Sequence, residues 1–564
     1  MAVFRYSQSA RWLGVLVMWR LWLVTAAFVA LSLGLAVRVV YLHVFDRDFL
    51  QDQGDQRTIR MERVNAYRGI ISDRHGKPLA ISSPVVSLWA NPSEIDDPEA
   101  VARELAAGLG LSRQLVTERL RSNRKRAFVY IRRHVPPATA GNILALGLPG
   151  IYGEKEYHRY YPAGEVTAHV IGFTNVDDKG QEGVELAFDK HLAGQPGKKK
   201  VLKNLYGAIV KDIKPMVEVR PGRDLNLSID LRLQFLAYRE LKSAIAQYGA
   251  DSGTFVILDV LTGEVMAMVN QPSFNPNMRV NLDLGAVRNR AVTDVFEPGS
   301  TVKPLTVAVA LASGEYSPAS QIDTSPGRFK VGRKTILDPG DRGVMNLADI
   351  VAHSSQVGIS KLALELPEYE VWGAFQAMGF GQPTGIGFPG ERSGFLPNHR
   401  RWKDIERVTF AYGYGLTVTP LQLASAYQAI AAGGVRRELS ILRGSEIRGT
   451  RVMDRAIALD LTAILSHTVR VGTASKAGID AYTVAGKTGT VRKLGVKGDY
   501  EDTSHLTFFA GIAPASLPRL VGVVMINDPS VPEAGGGTIA APVFSRVMAG
   551  ALRLLNVPPD EAAS

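Results

Sequence analysis

The chain contains no cysteine. That absence excludes disulfide frameworks, cysteine-rich zinc sites, iron–sulfur ligation and thiol nucleophiles together. It leaves the compartment open, because a large exported protein with a good core needs no staples. The ten histidines are scattered, with no H-E-x-x-H pattern and no close His/carboxylate cluster, so no metal site is expected. No segment repeats at a spacing of roughly 20–50 residues, and no tract is of low complexity. The 55 glycines and 30 prolines are ordinary for 564 residues, which excludes collagen-like and Pro/Gly-disordered classes. Gly535, Gly536 and Gly537 do not make a phosphate loop, since no Gly-Lys-Ser/Thr follows into a helix. Long apolar runs are also missing, with one exception near the N-terminus.

What remains is a chain with real cores. Apolar residues make up 46% and charged residues 21%, and the length suits two or three domains. Sixty-five Lys and Arg against 54 Asp and Glu leave a net charge of +11, which fits an acidic partner. The one apolar run, residues 21–37, follows Arg5, Arg11 and Arg20 and continues through 39–44. Arg38 can snorkel, so the run supplies the roughly 20 residues needed to cross a bilayer. Asp46, Asp48, Asp52 and Asp55 follow, and the positive-inside rule then puts residues 1–20 in the cytoplasm and the body outside. Cleavage of a signal peptide after Gly34-Leu35-Ala36 is the alternative, but the hydrophobicity runs past that site. An exported body makes nucleic acid a poor partner for the basic stretches at 119–133 and 198–203; a solvated face or an anionic envelope polymer fits better.

Residues 45–220 read as a strand- and loop-rich domain that ends at Pro221-Gly222. Beyond it, 224–230 alternates like a strand and 231–248 carries helical spacing. Residues 254–258 and 264–269 read as a hairpin about Thr262-Gly263, and 255–260 and 519–526 as buried strands. The fold class expected is therefore multi-domain α+β with a single N-terminal membrane helix, the last domain covering 221–564.

Three short motifs carry chemistry. Ser300-Thr301-Val302-Lys303 follows Pro298-Gly299 and opens an apolar helix. A serine in the first turn keeps its N–H free for a substrate oxyanion, and a lysine three residues on shares its face. A neutral lysine can take the hydroxyl proton, which means lowering its pKa from about 10.4 to roughly 7–8, at a cost of about 4 kcal/mol. Burial and a neighbouring cation would do this. Ser354-Ser355-Gln356 follows a predicted helix at 346–353, offering a relay hydroxyl and an amide for a substrate backbone. Lys487-Thr488-Gly489-Thr490 reads as a strand where glycine admits a ligand backbone, with ammonium and hydroxyls for a carboxylate and the Thr490 N–H as second oxyanion donor. Glu297 is structural or accepts from an incoming amine, and Tyr412 and Tyr414 wall a cleft or pack the core. Asp338-Pro339-Gly340-Asp341 reads as a turn.

The ordered set resembles the S-x-x-K, S-x-N and K-T-G motifs of penicillin-binding proteins. The lead-in at 289–300 and the stretch from Tyr412-Gly413-Tyr414-Gly415 to Gln422 resemble the class B, cell-division FtsI-type transpeptidases. Arg68-Gly69-Ile70, Arg159-Tyr160-Tyr161-Pro162-Ala163-Gly164-Glu165 and Gly183-Val184-Glu185 resemble that family's pedestal motifs. The resemblance implies a pedestal of dimerisation type and a transpeptidase domain with a five-stranded antiparallel sheet flanked by helices. It implies Ser300 as nucleophile, Lys303 and Ser354 as proton handlers, and Ser355, Gln356, Lys487, Thr488, Gly489, Thr490, Tyr414 and Glu297 as substrate contacts. It implies no cofactor, D-Ala-D-Ala stem peptides as donors, a diaminopimelate amine as acceptor, and acylation by β-lactams. Partners so implied are a SEDS-class glycosyltransferase and division-complex membrane proteins at the inner membrane, in septal synthesis. The rivals are a D,D-carboxypeptidase or β-lactamase on the same fold, and a β-lactam-binding sensor or scaffold. Gln356 departs from the family's usual asparagine, keeping the amide but lengthening its reach by one methylene. A second-copy paralogue beside a main division enzyme fits that departure.

Overall fold

A computed structural model describes residues 9–49, 59–203, 209–494, 500–531 and 534–561. Arg5, Asp52 and Asp55, invoked for membrane orientation, lie outside them. The chain divides into two compact units, 1–66 with 195–220, and 67–194 with 221–564. The first holds helix α1 (Ser9–Val40), prolonged by a wider π turn at Tyr41–Phe45. Residues 18–45 of this helix are apolar enough to cross a membrane, and none of that stretch is buried in protein. The same unit holds a three-stranded antiparallel sheet in which Gly197–Lys203 lies between Ile59–Val64 and Ile209–Val217. The basic run 198–203 is thus a paired strand.

In the second unit the pedestal part is built on the long strand Pro78–Ala90, flanked by Val129–Val135 and Ile151–Tyr160. The helix Pro137–Ala145 packs on it, and Val101, Ala102 and Leu105 of the helix Pro98–Leu109 join Leu88 and Ala90 in one buried cluster. The three pedestal motifs meet in space. Arg68 Nε lies 2.5 Å from Glu185 Oε2 and Arg159 Nε 2.6 Å from Glu185 Oε1, all three side chains no more than 2% exposed. Arg68 also reaches Asp189 at 2.7 Å. Breaking such a cluster strands a buried charge, so it is costly to lose.

The transpeptidase part is centred on an antiparallel sheet of β1 (Ser252–Asp259), β2 (Val265–Gln271), β3 (Ala485–Leu494), β4 (Tyr500–Ala513) and β5 (Leu520–Asn527), in the order β2-β1-β5-β4-β3. Both faces of β1 are buried, and its side chains divide by the strand period of two. Phe255 and Ile257 enter one core with helix α2 (Leu231–Tyr248) and the C-terminal helix Ala541–Leu554. Val256 and Leu258 enter the other with the helix Pro420–Ala431 and the helix that carries the first motif. Helix α2 starts on Asp230, which accepts from the Arg232 N–H, and ends on Gly249 at φ 55°. The expected strand at 224–230 is cut to Leu225–Asn226, paired in parallel with Ile71–Ser72. Leu225, Leu227 and Ile229 are buried, but so are Ser228 and Asp230, so the alternation there marks neither a ladder nor a single buried face.

Candidate active site

Pro298 stops the preceding chain, and Gly299–Val302 forms one tight 3₁₀ turn before helix α3 (Lys303–Ala312). Ser300 therefore sits one tight turn ahead of the α-helix rather than in its first turn, with Lys303 below it on the same side. Opposite lies an unusual junction. Helix α4 (Leu347–Ala352) ends, Ser354 adopts φ 58°, and helix α5 (Gln356–Glu365) begins at once. A left-handed conformation is unfavourable for a residue with a side chain. Here it aims the Ser354 hydroxyl between the other two groups. Ser354 Oγ lies 2.9 Å from Ser300 Oγ and 3.2 Å from Lys303 Nζ, and Lys303 Nζ donates to the Ser354 carbonyl at 2.6 Å. Lys303 thus reaches Ser300 through the Ser354 hydroxyl.

The third motif lies on β3, the edge strand of the sheet, so one rail of its backbone is open to an added strand. Lys487 is fully buried, with Nζ 3.2 Å from the Thr488 carbonyl. The Thr488 hydroxyl pairs with Thr473 at 2.8 Å, and the Thr490 hydroxyl accepts from the Gly536 N–H at 3.0 Å. The glycine at 489 answers to packing from below, since a Cβ there would lie 2.0 Å from the Phe508 ring.

Burial governs the electrostatics. Lys303 is held well below the ordinary lysine range, first by desolvation and then by the Lys487 charge, against an opposing pull from Asp338. Desolvation pushes Lys487 down to about 7. Lys303 therefore gives up its proton far more readily than an ordinary lysine, the condition a lysine base requires.

Other residues expected in the site take framework positions. The Ser355 hydroxyl, 2% exposed, accepts from the Gly358 N–H and donates to Asp338 at 2.5 Å, capping α5. Gln356 offers its N–H to Asp338 at 2.6 Å, and its half-buried side chain begins α5. Glu297 accepts from the Gly415 N–H at 2.8 Å. Tyr414 packs edge-on against Tyr412 with ring centroids 5.7 Å apart. The Tyr412–Gly415 loop braces the nucleophile turn by backbone: the Gly299 N–H donates to the Gly413 carbonyl at 3.0 Å. Gly413, at φ 94°, is required there, because a Cβ would lie 2.2 Å from the Gly299 carbonyl oxygen. Sequence reasoning missed this bracing, the seating of Gly536 on Thr490, and Asp338, whose only sequence signal was a turn.

A serine joined to a buried lysine of lowered pKa by a second serine, beside a lysine-bearing edge strand, defines a serine acyl-transferase of the penicillin-binding class. Residues 253–549 match the penicillin-binding protein transpeptidase domain and 63–227 the penicillin-binding protein dimerisation domain. The chain is 43% identical over 549 residues to the peptidoglycan D,D-transpeptidase FtsI of Escherichia coli K12, covering 96% of this chain and 93% of that protein. It is 41% identical over 544 residues to the probable peptidoglycan D,D-transpeptidase PbpC of Pseudomonas aeruginosa, covering 96% of each. Among solved structures, penicillin-binding protein 3 of Mycobacterium tuberculosis, complexed with aztreonam, matches with TM-score 0.69 at 26% identity, covering 89% of this chain and 98% of that one. A peptidoglycan synthetase from Bifidobacterium adolescentis matches with TM-score 0.71 at 25% identity, covering 90% and 98%. The chain belongs to the class B penicillin-binding proteins, in the FtsI-type branch.

Proposed function

We propose that this protein is a membrane-anchored peptidoglycan D,D-transpeptidase acting in septal wall synthesis and acylated by β-lactams. The observation that carries the reading is the Ser300–Ser354–Lys303 chain ending on an amine driven toward its neutral form. In the first half-reaction Ser300 Oγ attacks the carbonyl of the D-Ala–D-Ala bond, and its proton passes through Ser354 to Lys303. The Ser300 and Thr490 N–H groups stabilise the oxyanion. The relay then returns the proton to the departing D-Ala amine, leaving an acyl-enzyme. In the second half-reaction a diaminopimelate amine attacks the ester, loses its proton to the relay, and restores Ser300. Lys487, Thr488 and Thr490 hold the donor carboxylate or its β-lactam counterpart, Gly489 and the open edge of β3 take its backbone, and Gln356 takes its amide. Glu297 and Tyr414 close the wall of the cleft, with Ser355 behind it.

Residues 1–20 are read as cytoplasmic, 21–44 as the anchor, 45–220 as the pedestal and 221–564 as the catalytic domain on the periplasmic side. Among its described residues the pedestal shows no acid/base constellation comparable to that of the cleft, so a SEDS-class glycosyltransferase and other division-complex membrane proteins are the partners inferred. Incubation with pentapeptide-bearing glycan strands and mass analysis of the products tests the reading. A cross-linked dimer is expected. Free tetrapeptide acid alone would make the protein a carboxypeptidase, and penicillin binding without any turnover would make it a sensor.

A further inference from the structure

Asp338 follows the strand Lys334–Leu337, and its N–H donates to the Gly327 carbonyl at 2.9 Å, so its backbone is fixed by the hairpin. Its carboxylate is spent entirely on the start of α5. Oδ2 accepts from the Ser355 hydroxyl at 2.5 Å, and Oδ1 accepts from the N–H groups of Gln356 at 2.6 Å and Val357 at 3.2 Å. With Gly358 donating to Ser355 Oγ at 2.8 Å, the first three N–H groups of the helix are all satisfied. A carboxylate at a helix N-terminus is also favoured by the helix dipole. These bonds pin the two residues that follow Ser354, while the Ser354 and Ser355 N–H groups are pinned by the Val351 and Ile350 carbonyls at 3.1 and 2.9 Å. Ser354 is thereby held from both sides in the left-handed conformation that its bridging hydroxyl requires.

We infer that Asp338 is a positioning residue for acyl transfer: its carboxylate clamps the head of α5, and the clamp keeps Ser354 Oγ between Lys303 and Ser300. The inference rests on the proposed roles of Ser300 and Lys303. It has a second consequence for Gln356. Because the clamp fixes the Gln356 backbone, the extra methylene cannot be absorbed by moving the helix, and the amide stands farther along the cleft than an asparagine amide would. Asp338 also places a negative charge near the base. The charged groups acting on Lys303 are Lys487 on β3, which favours loss of its proton, and Asp338, which favours its retention.

The test compares acylation rates of the full-length, detergent-solubilised protein with fluorescent penicillin from pH 5 to 10. The variants are Asp338→Asn, Ser355→Ala, Asp338→Glu and Ser300→Ala, each with a melting curve. Asp338→Asn should acylate at least roughly tenfold more slowly, since small misplacements of a relay are costly. Acylation needs neutral Lys303, so its rate rises with pH through the lysine pKa. Loss of the Asp338 charge lowers that pKa, and the acid limb should move to lower pH. Ser355→Ala removes the bond to Asp338 and the one from the Gly358 N–H but keeps the charge, so it should slow acylation without moving the limb. Asp338→Glu should recover part of the rate with the limb near its original place. The inference is overturned if Asp338→Asn acylates at the wild-type rate, or if it slows with an unmoved limb in proportion to lost stability. Labelling that persists in Ser300→Ala would instead overturn the reading of the site itself.

Discussion

Arg68, Arg159 and Glu185 lie in the pedestal with side chains no more than 2% exposed, and Lys303 and Lys487 lie under the cleft at 0%. Burial is the same in both places, but the company differs. In the pedestal, the Glu185 carboxylate meets two guanidinium groups at 2.5 and 2.6 Å and Asp189 adds a second carboxylate at 2.7 Å from Arg68, so the charges compensate. In the cleft, Lys303 and Lys487 hydrogen-bond only carbonyls and hydroxyls, and among the described residues neither forms an ion pair. Desolvation that no ion pair offsets drives an amine toward its neutral form. A buried charge with partners fixes a fold, and a buried amine without them is ready to move protons.

Four substitutions sharpen that contrast. Lys303→Met should slow β-lactam acylation by on the order of 10³-fold without lowering the melting temperature, because it removes the base and leaves no charge to bury. Near-normal acylation would mean another base is at work. Glu185→Gln should do the reverse. It leaves two buried guanidinium groups facing no carboxylate at 185, costing about 3–5 kcal/mol of stability in denaturant unfolding. The acylation rate of the molecules still folded should be unchanged.

Lys487→Met should abolish penicillin binding yet stabilise the fold by on the order of 4 kcal/mol near pH 7. The sign follows from linkage. Between about 7, where folded Lys487 titrates, and its ordinary value of 10.5, the unfolded chain binds a proton that the folded one does not. Stability of the wild type therefore rises with pH across that window. The advantage of Lys487→Met should be full below it and shrink toward pH 10; a gain that does not vary with pH would refute a neutral Lys487. The smallest effect belongs to Gln356→Asn. It should change acylation severalfold, more for some β-lactams than for others, because their side-chain amides sit at different depths. Equal rates throughout would show that this side chain does not touch the acyl group.

Local pattern carried much of this structure. The helix at 231–248, the hairpin that follows and the lysine-bearing strand were legible because periodicity, capping and glycine placement are properties of neighbours in the chain. The three motifs were legible because their residue types are chemically constrained. The positive φ of Ser354 left no such trace, since it is imposed by bonds from Val351, Ile350 and, through Ser355 and Gln356, from Asp338 across a hairpin. Gly413 looked like an ordinary glycine between two tyrosines. Its need for glycine exists only because the backbone of Gly299 packs against it. Ser355 shows the same limit from the other side: a hydroxyl in a motif suggested a substrate contact, and the fold spends it on a helix cap.

The central claim is that Ser300 is the nucleophile that this buried amine serves. The direct measurement is the intact mass of the protein after incubation with a labelled penicillin, for wild type and Ser300→Ala, with peptide mapping of the adduct. The wild type should gain one penicillin, located on Ser300, and Ser300→Ala should gain none. An adduct of equal yield in Ser300→Ala, mapped to another residue, would contradict the account.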